Sequence, residues 1–88
     1  MKLIRNSKTT MTLEELRFGQ RARIEDVDAA QPGVLRLMVL GLIEGAEVRY
    51  ANSAIGGDPM EVTVFGTAIS IRKQQAACFQ VSPISANE

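Results

Sequence analysis

The sequence contains no histidine and no tryptophan, one tyrosine, three phenylalanines and a single cysteine, Cys78. Each shortage removes a class of function. Without histidine there is no imidazole to act as a general base near neutral pH or as a zinc ligand. One cysteine cannot close an internal disulfide, which fits a reducing compartment, and a lone thiolate without imidazole support is a poor metal site. So few aromatics leave no cluster of rings to cradle a proline-rich peptide. An excess of charge is missing too: ten Lys and Arg balance ten Asp and Glu. The chain as a whole therefore exerts no electrostatic pull on nucleic acid or on an anionic membrane. No run approaches the ~20 apolar residues of a membrane span. The stretch Met1 to Lys8 is positively charged but has no apolar core of signal-peptide length. These absences predict a cytoplasmic protein with no membrane insertion, no cofactor and no dedicated metal site.

What remains is a short chain of 88 residues, 45% of them hydrophobic. That is enough for one small domain with a thin core, burying roughly 60–65% of the surface exposed on unfolding. Residues 1–11, with Lys2, Arg5 and Lys8 unopposed by acids, read as a flexible basic arm. The folded region spans 12–82, and 83–88 form a tail. Thr12-Leu13-Glu14-Glu15 fits a capping box, with Leu13 and Leu16 facing the core from one helical turn that ends at Gly19. Arg21 to Val27 alternates, with Ala22 and Ile24 on the inner face. Val34, Leu37, Met38 and Gly41 follow a helical spacing, and Leu40 widens the stripe.

After Gly45 the period becomes two. Strands are predicted around Val48 and Tyr50, around Met60, Val62 and Val64, around Ile69 and Ile71, and around Ala77, Phe79 and Val81. The separating turns use Gly41, Gly45, Gly57, Asp58 and Pro59, with Gly66-Thr67 as a hairpin signal and Arg72 to Gln75 as a polar turn. The fold class is mainly β: about five short strands with one or two short helices, which at this size must curl into a small closed barrel.

The residues Leu37-x-x-Leu40-Gly41-Leu42-x-x-Gly45-Ala46-x-Val48 resemble the core signature of ferrous-iron-transport protein A (FeoA). So do Gly57-Asp58-Pro59, the ending Arg72-Lys73-x-x-Ala76-x-x-Phe79-x-Val81, and the upstream Leu13-x-x-Leu16-x-x-Gly19. The similarity covers residues 12–82. It implies an SH3-like barrel in a small cytoplasmic protein that is not an enzyme. Its implied partner is a membrane ferrous iron transporter carrying its own GTPase domain (FeoB-like). The same barrel also forms the C-terminal domain of iron- and manganese-dependent repressors. The sequence departs from the family pattern at Ile55-Gly56, where a Pro-Leu pair usually precedes Gly-Asp-Pro.

Two features suggest how such a protein would make contact. The helix from Val34 is apolar on nearly all sides, so it either plugs the barrel or leaves Leu35, Val39, Leu42 and Ile43, beside Arg36, as a docking patch. Arg72 and Lys73 have no acid near them in sequence, and either orient an acidic partner or form a solvated turn. Glu25, Asp26 and Asp28 form an acidic cluster. On a regular strand Glu25 and Asp26 would point to opposite faces, so a solvated loop edge is the expectation. The rival readings are a generic SH3-like module for peptide or RNA, unrelated to iron, and a small enzyme, for which no nucleophile–base pair is present. Nucleic acid is not an expected partner. Self-association into a homo-oligomer is left open by the sequence.

Overall fold

A computed structural model of the chain describes residues 11–85. All but the last residue of the expected basic arm, and the end of the tail, lie outside the described residues. Alternation of apolar and polar residues builds the sheet. In β2 (Arg21–Val27) Ala22 and Ile24 are buried; β3 (Glu47–Ser53) buries Val48 and Tyr50. β4 (Met60–Val64) buries Met60, Val62 and Val64, and β5 (Thr67–Ile71) buries Ile69 and Ile71. β6 (Phe79–Ile84) contributes Phe79 and Val81. Full burial of such side chains is worth about 1.5–3 kcal/mol each, so this inner face dominates the favourable side of folding. The sixth strand, β1 (Met11–Thr12), has two residues, too few for any periodic signal.

The strands form one antiparallel sheet in the order β1-β6-β2-β3-β4-β5. Two bulges bend it around the core. Ile24 pairs with Val81 and Asp26 with Gln80, leaving Glu25 as the extra residue. Tyr50 pairs with Val62 and Asn52 with Glu61, so Ala51 is the second. A bulge puts two residues opposite one and increases the local twist. Among the described residues the ladder does not close, and β1 and β5 are its ends. A 3-10 turn (Leu13–Glu15) follows β1, and a short helix α2 (Lys73–Ala76) follows β5. These two segments pack against each other and bridge the gap that hydrogen bonds leave.

Three expectations are corrected here. Arg72 to Gln75 is not a turn but the entry to α2. The Asp58 carboxylate accepts the Lys73 N–H at 3.1 Å, and Gln75 Oε1 accepts the Arg72 N–H at 3.4 Å. The hairpin turn is Phe65-Gly66 rather than Gly66-Thr67, because Thr67 already pairs with Val64. β6 continues through Pro83 to Ile84, which pair with Ala22 and Arg21. β1 pairs only with Val81 and Gln80, so among the described residues β6 has one neighbour at Pro83, where a missing N–H is tolerated. The Thr12 amide donates to Glu15 Oε1 at 2.8 Å, and Leu13 and Leu16 are buried as expected.

Candidate partner-docking surface

The helix α1 (Val34–Val39) turns Val34 and Leu37 inward. It ends in a Schellman arrangement: the Gly41 N–H donates to Met38 O at 3.0 Å and the Leu42 N–H to Leu37 O at 3.1 Å. Gly41 supplies the required positive φ, +125°. That motif brings the residue after the glycine back onto the helix, and Leu42 is fully buried, in the same core cluster as Leu37. Leu42 therefore belongs to the core and is no docking residue. Gly45, also at positive φ, donates its N–H to Ile24 O at 2.8 Å and ties the following turn to β2.

The opposite side of α1 is bare. Leu35 and Val39 lie one helical turn apart and are 63% and 85% exposed; Leu40, Ile43 and Arg36 are exposed as well. Sequence reasoning had placed Leu40 in the buried stripe and missed Phe65, the residue that extends this surface. Phe65 is 72% exposed, at the tip of the β4–β5 hairpin. A Cβ built on Gly41 would lie 3.2 Å from its ring, so the ring stands against the C-terminal end of α1. A signal was present: a two-residue loop ending in glycine, Phe65-Gly66, puts its first residue in the turn and not on the strand.

Beyond Phe65 the outer face of β2 and β3 carries Arg21, Arg23, Glu47 and Arg49. Arg21 stands directly opposite Arg49, and Arg23 opposite Glu47. Glu47 pairs with Arg21 at 2.7 Å. A groove of about 330 Å³ runs between these side chains and Phe65.

Arg72 and Lys73 are placed elsewhere. The Lys73 backbone is held by Asp58 and its side chain lies beside Gly57, at the far end of β4 from Phe65. Gly57 has a positive φ of 87°, as does Gly56, so the Ile55–Gly57 segment turns tightly into Asp58 and Pro59. Arg72 lines a smaller hollow, about 250 Å³, with Gln31, Pro32, Gln74, Gln75 and Cys78. The Gln75 amide covers Gly33, so this hollow sits at the N-terminal end of α1. Burial, with Asp28 adding to it, pushes the Cys78 thiol above its ordinary pKa.

The acidic cluster is a loop edge. The bulge leaves Glu25 and Asp26 both exposed, and Asp28 accepts from the Ala30 N–H at 3.2 Å and from Gln31 Nε2 at 3.4 Å. Among the described residues no group of three or more acidic or Cys side chains is placed to hold a metal ion, and no helix is long and apolar enough to cross a membrane.

The family model for the FeoA domain matches residues 11–83. The chain belongs to the FeoA family. Among solved structures, the FeoA protein of Chlorobium tepidum is 39% identical with a TM-score of 0.78, over 89% of this chain and 74% of that one. A FeoA of Stenotrophomonas maltophilia, complexed with zinc and described as a prokaryotic SH3-domain protein, is 34% identical with a TM-score of 0.71, over 82% and 89%. The SH3-like fold expected from the FeoA resemblance is thus the fold found. IdeR of T. acidophilum, at 21% identity and a TM-score of 0.76, shares the fold over 96% of this chain and 37% of that one. The comparison with curated proteins gives no match.

Proposed function

We propose that this FeoA-family chain is a cytoplasmic accessory protein of ferrous iron uptake that binds the soluble region of a GTPase-containing, FeoB-like membrane transporter and performs no catalysis of its own. Family membership supports the pathway. The S. maltophilia relative carries the description of a candidate ferrous iron transport activating factor, which fits an accessory role. The observation that carries the reading is the gathering of five of the seven exposed large apolar side chains of the described residues, Leu35, Val39, Leu40, Ile43 and Phe65, on and beside α1, with Phe18 and Ile55 the other two. A contiguous apolar strip on a small domain is the usual form of a docking surface. Arg36 supplies a charge on the same helix, while Arg72 and Lys73 serve a second, polar contact or none.

The test is co-purification with the transporter's cytoplasmic domain, with and without guanine nucleotide. Binding is expected, with loss on Val39→Lys. Absence of binding in every nucleotide state overturns the reading.

A further inference from the structure

We propose that the groove between Phe65 and the Arg21–Arg49 pair holds an extended polypeptide segment that carries a carboxylate beside an apolar side chain. Three observations converge on it. First, Arg21 and Arg49 are direct cross-strand neighbours, an arrangement that is destabilising for like charges. Glu47 neutralises Arg21 at 2.7 Å. Arg49 is exposed and forms no ion pair or hydrogen bond among the described residues. Second, Phe65 is the only described non-glycine residue with positive φ, 51°. An exposed aromatic held in a strained turn gains nothing for the core, and such outliers gather where a surface is used. Third, the two features share one groove, lined by Arg21, Glu47, Arg49, Thr63, Phe65 and Gly66. Its 330 Å³ is at the small end of the roughly 300–1,000 Å³ of ligand pockets. That suits one or two side chains of a peptide better than a cofactor.

Charge complementarity selects the occupant. The free Arg49 fork matches a carboxylate bidentately, which gives Arg49 the counter-ion that Glu47 already gives Arg21. The neighbouring apolar side chain of the segment covers the Phe65 ring, whose other side borders α1. Single-stranded RNA fits less well: it needs a track of cations and several stacking rings, whereas this groove has one ring and contains the Glu47 carboxylate. The inference does not depend on which protein supplies the segment, so it stands or falls apart from the transporter reading.

The experiment is a ¹⁵N NMR titration of the full chain with three probes: a capped peptide with a central Glu flanked by Leu, its Gln analogue, and an oligouridine. The Glu peptide is expected to shift the amides of Arg49, Thr63, Phe65 and Gly66, and to bind about threefold to tenfold more tightly than the Gln analogue. Arg49→Glu abolishes that difference, and Arg49→Lys retains part of it. Arg49 is exposed, and a dispersed spectrum confirms that the Arg49→Glu variant is folded. Phe65→Ala weakens both peptides. Equal binding of the two peptides, shifts confined to other residues, no shift at millimolar peptide, or stronger shifts of the same amides by oligouridine would each overturn the proposal.

Discussion

Phe65 occupies the first position of a two-residue hairpin turn at φ 51°, and Gly66 follows at φ 77°. Turns of this kind favour Asn-Gly, because a Cβ of most residues is strained at positive φ. Phe65→Asn is therefore expected to stabilise the domain by about 1 kcal/mol, raising Tm by roughly 4–8 °C. The same change removes the ring from the strip and the groove, so stability and docking should move in opposite directions. A circular-dichroism melt decides it: a lower Tm would mean that the ring contributes more by packing on Gly41 than its backbone loses. Gly41 is the other half of that contact. Gly41→Ala forces a side chain to φ +125° and sets a Cβ 3.2 Å from the Phe65 ring; a loss of about 1 kcal/mol or more is expected. Adding Phe65→Ala removes the steric part but not the strain, so the double variant should recover only part of the loss. Cys78 gives a pH readout. Burial and Asp28 raise its pKa, so its thiol stays protonated to higher pH when folded than when unfolded. Alkylation by iodoacetamide should be slower in the native chain than in the urea-unfolded chain at pH 8, and should still be accelerating above pH 9. Equal rates would show that the thiol is unprotected.

At the level of elements, α1 separates stability from recognition by face. Val39 is 85% exposed, so Val39→Lys should leave stability within about 0.5 kcal/mol while abolishing docking. Leu42 is fully buried, so Leu42→Ala should lose about 2–5 kcal/mol and disturb docking only by unfolding. Denaturant melts beside the co-purification assay separate the two effects; a stable Leu42→Ala protein would put the residue back on the surface. The two-faced character of α1 was legible in its apolar residues, and so was the turn at Gly41. The fate of Leu42 against Ile43 was not, because the capping hydrogen bonds that settle it depend on where the helix stops. α2 was illegible for a related reason. One of its caps, Asp58, comes from fifteen positions upstream; the local one, Gln75 on the Arg72 N–H, lies in a tetrapeptide that reads equally well as a polar turn. Asp58→Ala should weaken the domain by about 0.5–2 kcal/mol, the usual loss when a capping carboxylate is removed.

Across the whole molecule, the core faces of the long strands could be read from period-two patterning, since burying one face fixes which residues point inward. The bulges at Glu25 and Ala51, the two-residue β1 and the open ladder could not, because each depends on a partner strand remote in sequence. The open end at β5 carries the last prediction. The two-residue loop makes Val64 and Thr67 a hydrogen-bonded pair, so Val62–Ile69 and Met60–Ile71 are the next such pairs. The amides of Ile69 and Ile71 then point at β4, while those of Ala68 and Ser70 point away, where no described strand lies. Residue-resolved hydrogen exchange should alternate along β5: slow at Ile69 and Ile71, fast at Ala68 and Ser70. β5 carries no charged residue, proline or bulge to discourage edge-to-edge pairing, so the measurement belongs at several protein concentrations. Fast exchange at Ala68 and Ser70 throughout is the expected result for a monomer whose docking surface is α1 and the hairpin tip. Protection of those two amides that grows with concentration would instead reveal pairing of the β5 edges of two copies.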